Sequence, residues 1–212
     1  MSLQAYISSR VIESAVKTDL LKYWSLTADE LSEIISASPS LRGMMAGYVA
    51  EHKLKDFLME SGKVVGNIGK YDDHDREKRG DLFIVYKGKK VGIEVKSLQT
   101  NSIKETDGKF KARFQCDASD RREVELPNGN KIETTCLVAG EFDLLAVNLF
   151  AFHEKWEFAF AKNLDLPRTA HSKYTPEQRK YLLATLMEIT WPLQPPFQSD
   201  PFPLPNEIAQ TS

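Results

Sequence analysis

Cysteine is nearly absent from this 212-residue chain, with only Cys116 and Cys136. Two are too few for a disulfide framework and the wrong count for a zinc site, so a reducing, cytoplasmic compartment is expected. Net charge is nearly absent as well. Lys and Arg number 28 and Asp and Glu 30, a formal charge of -2 at pH 7, and the whole-chain balance carries no nucleic-acid signature. No apolar run approaches the ~18 residues of a membrane span, and the opening MSLQAYISSRVIES has no basic segment followed by an apolar one. Neither a membrane partner nor a secretory leader is expected. GxxxxGK[ST], GxGxxG before a helix and GxSxG are all missing, which excludes a P-loop, a Rossmann cofactor site and an α/β-hydrolase elbow. The four histidines, His52, His74, His153 and His171, are too scattered to collect a zinc ion. What is present, 42% hydrophobic and 10% aromatic residues, fits one globular domain or one domain with an appendage.

The first sixty residues read as helices. Thr27 and Glu30 make a capping box for a helix through LSEIISAS. Ser38 and Pro39 supply the N-cap and first position of a longer helix that Gly62 ends. Its apolar stripe is Ala50, Leu54, Phe57 and Leu58, and Glu51 borders an apolar face. From Lys63 the pattern changes to strands: VVGNI, then DLFIVY and VGIEVKSL joined at a Lys-Gly-Lys-Lys turn. The charged KYDDHDREKRG lies between the first two and reads as a flexible loop. FKARFQCD, a hairpin from REVEL to KIETTCLV, EFDLLAVNLF and KWEFAFAK supply further strands. A last helix is expected from the Thr175, Pro176 and Gln178 start signals, with Leu182, Leu183, Leu186 and Met187 on one side. The organisation expected is an N-terminal helical segment at 1–37, a core at 38–190 with an insertion at about 99–140, and a proline-rich tail at 191–212 that packs as extended chain or wanders. One mixed sheet with helices, an α/β or α+β domain, is the fold class that follows.

The informative residues are Asp81 and, after a twelve-residue gap, Glu94-Val95-Lys96. On a strand, Glu94 and Lys96 share one face while Val91, Ile93 and Val95 enter the core on the other. Asp81 opens the neighbouring strand of the same hairpin, so its carboxylate can lie near that of Glu94. Paired carboxylates suit a hard cation such as Mg²⁺, which takes oxygen ligands and keeps several waters. A lysine beside them can position or deprotonate a water and hold a phosphate oxygen, which implies phosphodiester hydrolysis. Other acid-any-Lys triplets, Glu51-His52-Lys53 and Asp107-Gly108-Lys109, lack this strand context. Asp143 in EFDLLAVNLF reads as a strand-end hydrogen-bonding residue.

In these residues the chain resembles the PD-(D/E)xK superfamily, whose restriction-endonuclease-like fold places an Asp, an acid and a Lys on consecutive strands. The resemblance covers about residues 40 to 161 and implies a mixed central sheet flanked by helices, here with a β-hairpin insertion. It makes Asp81, Glu94 and Lys96 the catalytic set, with Asp81 and Glu94 as metal ligands and Glu51 as a third ligand or a supporting group. Mg²⁺ is the implied cofactor, with Mn²⁺ as a substitute. One departure stands out: Gly80, not Pro, precedes Asp81.

Charge distribution agrees. Residues 76 to 122 hold 13 Lys and Arg against 7 acids, a local +6 inside an otherwise acidic chain. Lys109, Lys111, Arg113 and Gln115 alternate onto one strand face, and Arg121 and Arg122 follow; these six are the expected DNA contacts. The expected function is an Mg²⁺-dependent endonuclease of double-stranded DNA, of the restriction type given the large insertion. The alternatives are a structure- or damage-directed nuclease of the resolvase or repair kind, and a catalytically silent DNA-binding module. A homodimer would follow from a palindromic site cut on both strands.

Overall fold

A computed structural model describes residues 19–64, 68–70 and 80–210. Two compact units divide the chain, Met1–Met45 and Ala46–Ser212, so the division falls inside a helix. The first unit contains helix α1 (Leu20–Trp24), capped by Asp19, and α2 (Ala28–Ala37). The Thr27–Glu30 capping box of α2 forms as its sequence requires. Helix α3 (Pro39–Glu60) begins at the anticipated proline, and Gly62, with φ +65°, follows its end.

The second unit is built on a five-stranded mixed sheet. Its order is β1 (Gly69–Lys70), β2 (Leu82–Tyr86), β3 (Lys89–Ser97), β8 (Leu144–Asn148) and β9 (Phe158–Lys162). All neighbours are antiparallel except β3 and β8, which run parallel. A parallel pair needs a long crossover, and the chain between β3 and β8 provides it as β4 (Lys104–Thr106), β5 (Lys109–Gln115), β6 (Asp117–Glu125) and β7 (Lys131–Cys136). Lys87 and Gly88 both have positive φ, 49° and 78°, the signature of a two-residue type I′ turn that matches strand twist. That turn fixes the β2–β3 register. Of the expected VVGNI strand, residues 65–67 lie outside the described residues, as do residues 71–79 of the charged loop; pairing begins at Gly69.

Two cores sandwich this sheet. On one face Ala50, Leu54 and Leu58 of α3 meet Leu82, Ile84, Ile93, Val95, Phe158 and Phe160. On the other, Ala112 and Phe114 of β5 meet Leu145, Val147, Ala159 and Ala161. Strand β8 is buried on both faces, as its unbroken apolar run requires.

The C-terminal third departs from expectation. The Thr175–Gln178 capping box does form, but its helix, α4 (Pro176–Arg179), lasts a single turn. Two of the four apolar residues assigned to its face fit a strand instead, where burial alternates: Leu186 is exposed, Met187 buried, Glu188 exposed and Ile189 buried. Leu186 and Met187 open β10 (Leu186–Trp191), which pairs antiparallel with β5. Leu182 and Leu183 are held sideways instead, with Leu183 N–H donating to Leu137 O and Leu182 O accepting from Thr169 N–H. The resulting second sheet has the order β10-β5-β4, so β5 is central and not an edge strand, and the insertion is tied to the C-terminal chain. Of the two outcomes expected for the proline-rich tail, packing is the one found. Phe197 joins one core, Phe202 and Leu204 join the other, and Gln198 pairs with Phe160. The segment ends in helix α5 (Pro203–Gln210).

No helix among the described residues is long and apolar enough to cross a membrane.

Candidate active site

The site forms at the open end of the β2–β3 hairpin. Leu82 pairs with Ile93, and one further step of that register sets Asp81 opposite Glu94. Asp81 N–H donates to Ile93 O at 2.9 Å, and its carboxylate Oδ2 accepts from Val95 N–H at 2.7 Å. The preceding residue explains the missing proline. Gly80 has φ +93°, and a β-carbon there would stand 3.0 Å from Ile93 O. Proline, locked near φ ≈ -65°, cannot take this conformation.

Glu94 and Lys96 project together from β3, as strand alternation demands. Lys96 Nζ lies 2.7 Å from Glu94 Oε1 and donates to Asp117 O at 3.2 Å. Glu94 is buried, only 8% exposed. Burial pushes its carboxyl up to about 7; Lys96 pulls it back, and the Asp81 charge adds to the rise. Burial also raises Asp81, opposed by the Val95 hydrogen bond and Lys96 and reinforced by Glu51. For Lys96, burial works against the charge, but the Glu94 carboxylate outweighs it, and the ammonium is held more firmly than usual. Cys116, beside this group, is pushed up to about 12 chiefly by burial. At that value it is a neutral thiol at physiological pH.

A buried and a half-buried carboxylate, the charge of Asp81 raising Glu94, with one lysine make an electron-rich group one positive charge short of neutrality. Such a donor set fits a small hard dication, and Mg²⁺ is commonly held by only one or two carboxylates plus water. Among the described residues no three His, Cys, Asp or Glu side chains gather at one point. Glu51 is engaged elsewhere: Lys70 Nζ lies 2.9 Å from its Oε2 and over the Tyr48 ring. Its charge is nevertheless felt at Asp81.

Sequence reasoning passed over Glu141, although it lies only two residues before Asp143. Its side chain accepts from Val138 N–H at 2.7 Å and pairs with Arg122, and its charge contributes to the rise at Glu94. An acid just ahead of a buried strand was the available signal. Asp143 itself has the strand-end role anticipated, its Oδ2 accepting from Gly92 N–H at 2.7 Å.

The six basic-face residues separate. Lys109, Lys111, Arg113 and Gln115 all lie on the exposed face of β5, with Ala112 and Phe114 buried behind them. Lys104 of β4 stands opposite Lys111, and Glu188 of β10 is 2.7 Å from Lys111 Nζ. Arg121 is exposed on β6, whereas Arg122 is turned against Glu141. Lys87, Lys89 and Lys90 gather at the turn end of the β2–β3 hairpin, opposite the end that holds Asp81. The row on β5 runs toward the site, since Gln115 is followed within two residues by Asp117, whose carbonyl holds Lys96.

No family model matches the chain, and no curated protein matches it. Among solved structures, a bacterial homing endonuclease superimposes with a TM-score of 0.36 and 17% identity, over 66% of this chain and 87% of that one. An overlap at that score decides neither fold nor activity.

Proposed function

We propose that the protein is a divalent-metal-dependent endonuclease of double-stranded DNA, of the restriction type. One observation carries the reading: Asp81, Glu94 and Lys96 converge at the open end of a hairpin, with both acids raised by burial and the lysine held charged. Asp81 and Glu94 would hold Mg²⁺, or Mn²⁺ in its place, with Glu51 supporting Asp81 from the Lys70 side. When bound, the ion would supply Lewis-acid stabilisation of charge on the reacting phosphate. Lys96, fixed by Glu94 and the Asp117 carbonyl, would orient the attacking water and hold a phosphate oxygen. The exposed row of β5, with Arg121, would take the duplex backbone. From Lys109 to Gln115 it spans roughly 20 Å at about 3.3 Å per residue, the length of about six base pairs.

The test is incubation of the purified chain with unmodified and methylated phage DNA, with Mg²⁺ or EDTA. Discrete fragments only with Mg²⁺ support the restriction reading. Cutting confined to branched or damaged duplexes supports the resolvase or repair alternative, and salt-sensitive binding without cutting supports a silent module. A palindromic site among the fragments would point to a homodimer.

Contacts to phosphate are sequence-independent and salt-dependent. Lys109→Ala and Lys111→Ala should each weaken duplex binding across all sequences and flatten the slope of log affinity against log salt by about one. The exposed Lys111–Glu188 pair is worth little by itself, so its loss should leave the melting temperature unmoved. Fluorescence anisotropy across a salt series measures this, and an unchanged slope in both variants would remove β5 from the interface.

A further inference from the structure

We propose that Gln99 and Gln115 form a base-reading amide pair that selects an adenine edge next to the cleaved phosphate, an inference that rests on the nuclease reading above. The two side chains meet where the chain leaving β3 pairs with β5: Gln99 Nε2 lies 3.5 Å from Gln115 Oε1, and Gln115 Nε2 lies 3.4 Å from Asp117 Oδ2. Both contacts are at the outer limit of hydrogen bonding, so exchanging them for a ligand costs little.

The backbone beneath is fixed. Leu98 pairs with Phe114, and Gln99 N–H donates to Arg113 O at 2.9 Å. Ser102 Oγ donates to Gln99 O at 2.7 Å and accepts from Arg113 N–H at 2.8 Å. Loosely held amides on a rigid platform are what a reading head needs, because the groups are positioned in advance yet free to change partner.

Chemistry selects the base. An amide offers one acceptor and one donor side by side, which matches N6–H and N7 of adenine in the major groove, whereas guanine is read by Arg. Arg113 stands two residues along the same exposed row. Lys104, Lys109, Lys111 and Arg113 against Glu188 leave that face positive, which complements a duplex. The distance to the chemistry is set by Asp117, whose side chain touches Gln115 and whose carbonyl accepts from Lys96 Nζ. The base read by this pair therefore lies beside the phosphate that Lys96 addresses.

The experiment is cleavage of a randomised duplex library by the full chain with Mg²⁺, followed by sequencing of the new ends for the wild type, Gln99→Ala, Gln115→Ala and Gln115→Glu. The wild type should show an A·T pair fixed within a few base pairs of the cut. Either alanine variant should flatten that position by roughly tenfold or more while the rest of the motif keeps its preference. Gln115→Glu should move the preference toward cytosine, whose N4 amino group a carboxylate accepts; a merely structural glutamine would not redirect the base. An unchanged motif in all three variants, or a wild-type motif with no A·T pair near the cut, overturns the amide pair and leaves the nuclease standing. A wild type that neither cuts nor binds the library overturns both.

Discussion

Asp81→Asn and Glu94→Gln should each reduce Mg²⁺-dependent cleavage by at least about a thousandfold, the scale of losing an electrostatic partner of the transition state. Both substitutions keep shape and remove charge. Asparagine retains an oxygen for Val95 N–H, the contact that seats Asp81 at the strand start. Glutamine likewise retains an oxygen for Lys96 Nζ. The fold therefore persists, and circular dichroism should show unaltered secondary structure. Lys96→Ala should behave differently, lowering single-turnover cleavage more than duplex affinity, because on the proposed reading Lys96 would act on the reacting phosphate and not on docking. Single-turnover assays beside anisotropy separate these effects. Full activity in either acid variant would remove Asp81 and Glu94 from the reaction.

Why this set was legible in the sequence, and other features were not, has a physical answer. Strand alternation and a two-residue turn specify register locally, so Asp81 opposite Glu94 follows from a short span of chain. Capping boxes are local too, and both formed. A start signal, however, fixes where a helix begins and says nothing of how far it runs. Leu182, Leu183, Leu186 and Met187 satisfy helical spacing, but the unpaired side of β5 offered Leu186 and Met187 a ladder of hydrogen bonds, Leu182 and Leu183 found partners at Val138 and Arg168, and tertiary pairing overrode the pattern. Glu141 was hidden for the same reason: its partners Arg122 and Val138, and the Glu94 charge it faces, come together only after the crossover folds. Arg122 looked like a surface base in a basic run, and only the fold shows the buried acid it meets. Composition left the proline-rich tail open between packing and wandering, and Phe197, Phe202 and Leu204 supply the apolar surface that docks it.

Glu94→Gln should also make the metal-free protein more stable at pH 8, by about 3 kcal/mol. The ordinary value for this carboxyl is 4.5, and the fold pushes it up to about 7, with burial as the main cause. Between those values the folded chain keeps a proton that the unfolded chain has released. Stability is therefore fully present below about pH 4.5, declines as pH rises, and has lost the whole contribution above about 7. Asp81, raised from 3.8 in the same direction, adds to the decline from its lower end. Lys96 does not reverse this, because its attraction for the Glu94 carboxylate is already contained in the raised value. Glutamine imitates the protonated carboxyl at every pH, so its variant should match the wild type near pH 4.5 and pull ahead by roughly 6 to 12 °C in melting temperature at pH 8. Added Mg²⁺ should raise the wild-type melting temperature at pH 8 and leave Glu94→Gln nearly unmoved, since a ligand stabilises only the state that binds it. Calorimetric melts in EDTA across pH 4.5 to 8, repeated with Mg²⁺ at the upper end, measure both effects. Parallel pH profiles for the two proteins would mean that Glu94 carries no stored electrostatic penalty. Diverging profiles, closed by Mg²⁺ in the wild type alone, would identify a site that sacrifices stability to keep two carboxylates together for a cation.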